Sequence, residues 1–174
     1  KIEKEIKYIL DTLVGFLSDE NNRVKLEYDF DALDKLIDSA ISKAYIDKDN
    51  ILSYDLKYFI NYMEMRKSQI MTLRYIFDQG KGMKTRPSQA RDVAELIFNL
   101  VPKLHESYNA VNALMDLYFV KEKMKNSELP KSREEFEDRA ILHSMVVNFE
   151  QFLEIKREFA ANLSEEEKNI FWNR

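Results

Sequence analysis

The stretch from Leu129 to Phe159, LPKSREEFEDRAILHSMVVNFEQFLEIKREF, leaves this chain few folds to choose from, because it reads as one long amphipathic helix. Ser132 and Glu135 have the spacing of a capping box: the serine oxygen accepts from a backbone amide one turn in, and the glutamate accepts from the serine's own amide. Pro130 stands just outside it. Phe136, Ala140, Leu142, Met145, Val146, Phe149, Phe152, Leu153 and Phe159 then recur at three- and four-residue steps, which gathers them onto one apolar stripe. Nothing in that stripe is chemically reactive, so the residues describe a helix that packs, not a helix that catalyses.

The rest of the chain repeats the pattern. Ile2, Ile6, Ile9, Leu10, Leu13, Val14 and Leu17 are in helical register from the first residues, and with neither a methionine nor a cap before them a longer parent protein is expected. This first helix runs to about Ser18, where Asp19, Asn21 and Asn22 supply loop chemistry. A second, about Asp31 to Asp47, is capped by Asp29 or Asp31, turns Leu33, Leu36, Ile37, Ala40, Ile41 and Ala44 inward, and stops at Asp47, Asp49 and Asn50. Ser53 opens a third, with Leu56, Phe59, Ile60, Met63, Ile70, Leu73 and Phe77 on one face, ending where Gly80 takes the left-handed conformation. From Pro87 or Ser88 a fourth keeps its phase through Val93, Leu96, Ile97, Leu100, Leu104, Tyr108, Val111, Met115 and Tyr118. Pro102 lies inside it, so a kink is the first expectation and two helices parted near Ser107 to Asn109 the other. A second capping box, Ser164 with Glu167, opens a short final helix ending in Phe171 and Trp172.

These segments predict an all-α helical bundle of about five long helices plus a short C-terminal helix, near three-quarters helix, with residues 1–174 forming one domain. Three glycines and three prolines in 174 residues leave little material for hairpins. A chain of this size buries about 70% of its unfolded surface and needs no metal or disulfide to hold it. The absence of cysteine excludes a thiol nucleophile, a disulfide framework and cysteine-ligated zinc. A net charge of −4, with both signs interspersed, argues against nucleic acid as a partner. No segment reaches the roughly 18 apolar residues that cross a bilayer, so direct membrane insertion by this stretch is not expected.

No catalytic, cofactor-binding or metal-ligating set emerges. A helical di-iron site needs glutamate three residues before histidine, but Pro102 precedes His105 and Ala140 precedes His143. Gly80 and Gly82 are two apart and follow a helix, whereas a nucleotide-triphosphate loop needs glycines five apart after a strand. The loop GKGMKTRPSQ is nonetheless the one strongly basic connection: Lys81, Lys84 and Arg86 lie in it and Arg91 follows in the next helix's first turn. Positive charge beside a helix N-terminus marks these four as candidate contacts for an anion or a partner, against the plainer reading of a solvated loop. On a simple up-and-down order the loop falls at the pole away from Lys1. The tyrosines Tyr54, Tyr58, Tyr62 and Tyr75 crowd the third helix, where core packing explains them by default.

The run LPKSREEFEDRA from Leu129 to Ala140, followed by FEQFLEIKREF from Phe149 to Phe159, resembles the soluble C-terminal domain of the aromatic acid exporter family, related to fusaric-acid-resistance membrane proteins. MRKSQIMTL, Met65 to Leu73, is similar to that family's mid-domain helix. The resemblance covers essentially the whole chain and implies a non-enzymatic domain at the cytoplasmic face of the cell membrane, with a role in assembly, gating or regulation. The partners it implies are the N-terminal membrane part of the same protein and, in a homo-oligomer, a second copy. The residues themselves leave open a helical adaptor that binds a partner helix or peptide, and behind it a helical metalloenzyme.

Overall fold

The computed structural model of the protein describes residues 1–46 and 53–173. The described residues form seven α-helices and no strand: α1 (Ile2–Ser18), α2 (Phe30–Ile46), α3 (Ser53–Gly80), α4 (Gln89–Leu100), α5 (Val111–Lys125), α6 (Arg133–Asn162) and α7 (Glu165–Trp172), with a 3₁₀ turn at Val101–Lys103. Helix makes up 78%, close to the three-quarters expected.

The side-chain bonds between helices fix their directions. Gln69 Nε2 on α3 donates to the Phe152 carbonyl on α6 at 2.8 Å, and Asn148 Nδ2 donates to Gln79 Oε1 at 3.1 Å, so these two longest helices run antiparallel. α2 is antiparallel to α3 as well: Lys67 pairs with Asp38 at 2.6 Å, and Arg74 with Asp31 and Asp34 at 2.8 and 2.6 Å. α1 runs parallel to α3, with Glu3 beside Arg66 and Phe16 beside Arg86. Between α1, α2, α3, α4 and α6 lies the main core, where Ile9, Leu10, Ile37, Ile70, Leu73, Ile76, Ala90, Leu142, Val146 and Phe152 are fully buried. Each large apolar side chain removed from water contributes about 1.5–3 kcal/mol, which is what holds helices with so few connecting constraints. A smaller second cluster, Tyr58, Tyr62 and Met65 with Phe159, Leu163 and Phe171 against it, closes the pole where the chain starts.

Several sequence expectations are corrected. The segment around Pro102 is a break, not a kink: α4 ends at Leu100, Pro102 sits in the first turn of the 3₁₀ helix, and Ala110 at φ 64° precedes α5. Asn109 Oδ1 accepts from the Val111 amide, giving α5 a fresh start. That break also re-phases the helix. Val111, Met115 and Tyr118, expected inward, are exposed, and Ala113 and Leu117 take the core positions. Gly80 is not left-handed; its role is steric, since a Cβ there would stand 2.4 Å from Leu26 Cδ1 and 3.1 Å from Met145 Cε.

At α6, Ser132 Oγ accepts from the Glu135 amide at 3.1 Å, but Glu135 reaches the Lys131 amide at 2.8 Å and not that of Ser132, so only half of the expected box forms. Both halves of the Ser164–Glu167 box are present. Phe136 and Ala140 are exposed, and Asp138, in phase with Leu142, Met145 and Phe149, is buried in their stead. In the first half of α3 the buried row is Tyr58, Tyr62, Met65 and Arg66, with Leu56, Phe59, Ile60 and Met63 half-buried. Asp29 Oδ1 caps α2 through the Ala32 amide at 2.9 Å; the stop signal Asp47, Asp49 and Asn50, and the side chain of Tyr54, lie outside the described residues.

Candidate functional site

The four basic residues singled out in the sequence are brought to one pole, beside the end of α1. Lys81 pairs with Asp78 at 2.9 Å and Arg91 with Glu20 at 2.7 Å, both pairs exposed. Arg86 turns inward: its guanidinium lies 3.7 Å over the Phe16 ring, Nε donates to the Phe16 carbonyl at 2.7 Å, and a second nitrogen donates to Asn22 Oδ1 at 2.9 Å. It therefore adds a second, charged donor to a carbonyl that already accepts from the Asp19 amide at 3.3 Å, at the C-terminus of α1, where a cation is favoured. Lys84 keeps an exposed side chain.

Buried Asp138 fixes this loop, with its two oxygens accepting from the Lys84 and Thr85 amides at 2.8 Å each and from the Thr85 hydroxyl at 2.5 Å. Asp138→Ala would orphan two loop amides at a carboxylate that is 1% exposed, and urea unfolding is expected to show a loss of about 2–3 kcal/mol. A loss below 0.5 kcal/mol, within the ordinary scatter of surface changes, would refute that role.

The opposite pole, formed by the start of α1, the start of α3, the Leu104–Ala110 connection, the end of α6 and α7, holds an arrangement that sequence reasoning missed. Two cations are buried there, Arg66 on α3 and Lys156 on α6, each 1% exposed. Arg66 is fully engaged. Its Nε and one terminal nitrogen donate to the Tyr62 hydroxyl at 3.0 and 2.8 Å, the same nitrogen donates to Glu3 Oε1 at 2.9 Å, and the other donates to Gln69 Oε1 at 2.8 Å. Lys156 is not. Its ammonium donates to the Glu106 carbonyl oxygen at 2.6 Å and otherwise faces rings, 5.6 Å from Tyr62, 5.0 Å from Phe159 and 5.6 Å from Trp172. Among the described residues no carboxylate lies within ion-pairing distance of it.

Aromatic rings complete the enclosure. Tyr58 stacks on Phe171 with centroids 3.8 Å apart and planes within 6°, and more loosely on Tyr62 at 6.2 Å and 11°. The Tyr58 hydroxyl donates to Glu106 Oε1 at 2.7 Å and accepts from Trp172 Nε1 at 3.1 Å. Beside this stack a groove of about 350 Å³ opens between Ala44, Leu56, Phe59, Glu106 and Phe171.

Burial, aided by the positive charge of Arg66, pushes the Lys156 ammonium down to about 7, with Glu106 and Glu3 pulling only partly back. Burial raises the Tyr62 and Tyr58 hydroxyls above their ordinary value. For Glu3 burial works toward the neutral form, but the Tyr62 hydroxyl and Arg66 outweigh it and hold the carboxyl below its usual range. The site thus contains an anion that is paired, a cation that is paired, and a second cation that touches a carbonyl and π-faces and feels the Glu106 and Glu3 carboxylates only from farther away. Such a group attracts anions strongly once water or a ligand reaches it. The signal was present in the sequence as phase: Arg66 is in register with Ile70, Leu73 and Phe77, and Lys156 with Phe149, Phe152 and Ala160, so each interrupts an apolar row with a charge.

The chain has clear relatives. It is 31% identical over 126 residues to the uncharacterized protein YqjA of Bacillus subtilis strain 168, an overlap covering 72% of this chain and 39% of that protein, so the chain spans about two-fifths of the relative's length. A crystal structure of a putative membrane protein from Clostridium difficile 630 superposes with a TM-score of 0.77 at 29% identity, covering 94% of this chain and 96% of that one. No helix among the described residues is long and apolar enough to cross a membrane. The family model described as the putative aromatic acid exporter C-terminal domain matches residues 1–157, ending before α7, and this chain belongs to that family.

Proposed function

We propose that this chain is the cytosolic helical domain of a membrane exporter of aromatic acids, and that it acts on the membrane part by assembly, gating or regulation and not by catalysis. The observation that carries this reading is the bond from buried Arg66 to Glu3 in the first turn of α1. A membrane part preceding Lys1 would attach to that turn. Any shift of α1 would then disturb the Arg66 and Tyr62 bonds directly, and through them the surroundings of Lys156. Family membership and the likeness to a membrane protein support the attachment. The basic loop lies at the far end of α1, about 25 Å away at 1.5 Å per residue, so Lys81, Lys84 and Arg91 would face an anionic partner in the cytosol and not the bilayer.

The reading is tested in the full-length protein with 4-hydroxybenzoate as the exported probe. Deleting this domain, and separately Glu3→Gln, is expected to cut the efflux rate by roughly fivefold or more, a coupling of ordinary allosteric size, with the protein still present in the membrane. Unchanged efflux after domain deletion would remove the proposal.

A further inference from the structure

The last helix is attached in an unusual way. None of the residues of α7 is buried, an extended Leu163 and Ser164 join it to α6, and its hold on the bundle includes the aromatic pair at its end, Phe171 flat against Tyr58 and Trp172 between the Tyr58 hydroxyl and the Lys156 ammonium. It also lies beyond the part of the chain that the family model matches. What it covers is a buried cation without a counter-ion, backed by the rings of Tyr62 and Phe159. Leaving a charge uncompensated costs a fold stability, so the arrangement has the form of a binding site occupied by the protein's own side chains.

We infer that α7 is a displaceable clasp, and that the site it covers binds a planar aromatic carboxylate, with the ring taking the place of Phe171 on Tyr58 and the carboxylate taking the place of Trp172 at Lys156. The chemistry selects this class. A six-membered ring fills the stacking position Phe171 holds, and an anion gives Lys156 the partner that the fold withholds. The two nearby carboxylates compete little for Lys156, because Glu3 is bonded to Arg66 and Tyr62 and Glu106 accepts from the Tyr58 hydroxyl. Ligand entry would release α7 at the pole where α1 begins. This deepens the reading above by naming the ligand of that pole, and the two fail separately: a chain that binds no aromatic acid could still couple to a membrane part.

Trp172 is the only tryptophan, so its emission reports on the clasp directly. The chain is titrated at pH 6 and constant ionic strength with benzoate, cyclohexanecarboxylate and benzyl alcohol. Benzoate is expected to give a saturable red shift of Trp172 emission, at least about fivefold tighter than cyclohexanecarboxylate, because only the aromatic ring stacks. Benzyl alcohol should give none. Phe171→Ala, which weakens the clasp, should tighten benzoate binding by roughly fivefold or more, since the apparent affinity scales with the population of the open state. Lys156→Met and Lys156→Gln, with helix content checked by circular dichroism, should each abolish binding; the glutamine keeps a donor for the Glu106 carbonyl and separates loss of charge from loss of packing. No saturable benzoate response, equal binding of cyclohexanecarboxylate, or undiminished binding by folded Lys156 variants would each overturn the inference.

Discussion

Replacing Lys156 with methionine is expected to make the protein more stable at pH 6, by about 1–3 kcal/mol, a sign opposite to that of most core substitutions. The side chain is 1% exposed and its pKa is pushed down from 10.5 to about 7. In the window between those values the unfolded chain holds a proton that the folded chain lacks. Stability therefore rises with pH from about 7 toward 10.5, and below about 7 the penalty of the buried charge is at its full size. The gap between the folded and unfolded values sets an upper bound of about 5 kcal/mol on that penalty. Methionine fills similar space without charge but gives up the bond to the Glu106 carbonyl, worth about 1 kcal/mol, and the contacts with the rings, which brings the net gain down to the stated range.

Urea unfolding at pH 6 and at pH 9 checks this. The wild-type protein should gain stability between the two, and the variant should stay nearly level, so that the difference narrows as pH rises. The shifted carboxyls and tyrosines act outside this window. Glu3, Asp19 and Glu135 have lowered values, so their contributions are complete above the ordinary carboxylate range and fade only in acid. Tyr28, Tyr58 and Tyr62 have raised values, so theirs are intact until about pH 10 and fade above it. A variant less stable than wild type at pH 6 would mean that the enclosure already compensates the charge.

How much of this was legible in the sequence depends on which level carries the information. The helices α1, α3, α6 and α7 were readable because three- and four-residue periodicity and side-chain caps are local, and the Ser164 box forms as its spacing requires. The resemblance carried in Leu129 to Phe159 and in Met65 to Leu73 led to the family that the chain belongs to. Phase was less secure. The apolar row through Tyr108, Val111 and Met115 continues across Pro102 as though one helix bore it, and only the left-handed Ala110, a conformation that sequence does not advertise for alanine, shows that α5 starts anew. Gly80 was read through its backbone freedom, when the constraint came from Leu26, fifty-four residues away. The basic loop drew attention through its local density of charge. The charges that occupy core phase, Arg66, Asp138 and Lys156, were each present as a single discordant residue in an apolar row, and each has a defining bond to a residue 50 to 63 positions distant, Glu3, Thr85 and Glu106 in turn.

Arg66 and Lys156 share one enclosure, and yet their substitutions should act in opposite directions. Arg66→Ala is expected to cost about 3–5 kcal/mol, because the guanidinium is the hub of the network and its removal leaves Gln69 Oε1 and the Tyr62 hydroxyl short of partners beside a large cavity. Glu3 softens the loss only slightly, since its side chain is 36% exposed and can recover water. The same change should raise the pKa of Lys156. Burial, the first cause of its depression, remains, but the repulsion from Arg66, the second, disappears, while the attraction of Glu3 and Glu106 persists. Unfolding in urea measures the first effect, and an NMR titration of the Lys156 side chain in the wild type and the variant measures the second. A loss under about 1 kcal/mol would show that Arg66 is not the hub, because removing one member of a buried charged pair ordinarily costs several times that. An unmoved Lys156 titration, with the fold retained, would show that the two cations do not sense each other, and the coupling from α1 through Glu3 and Arg66 to the clasped site would lose its physical basis.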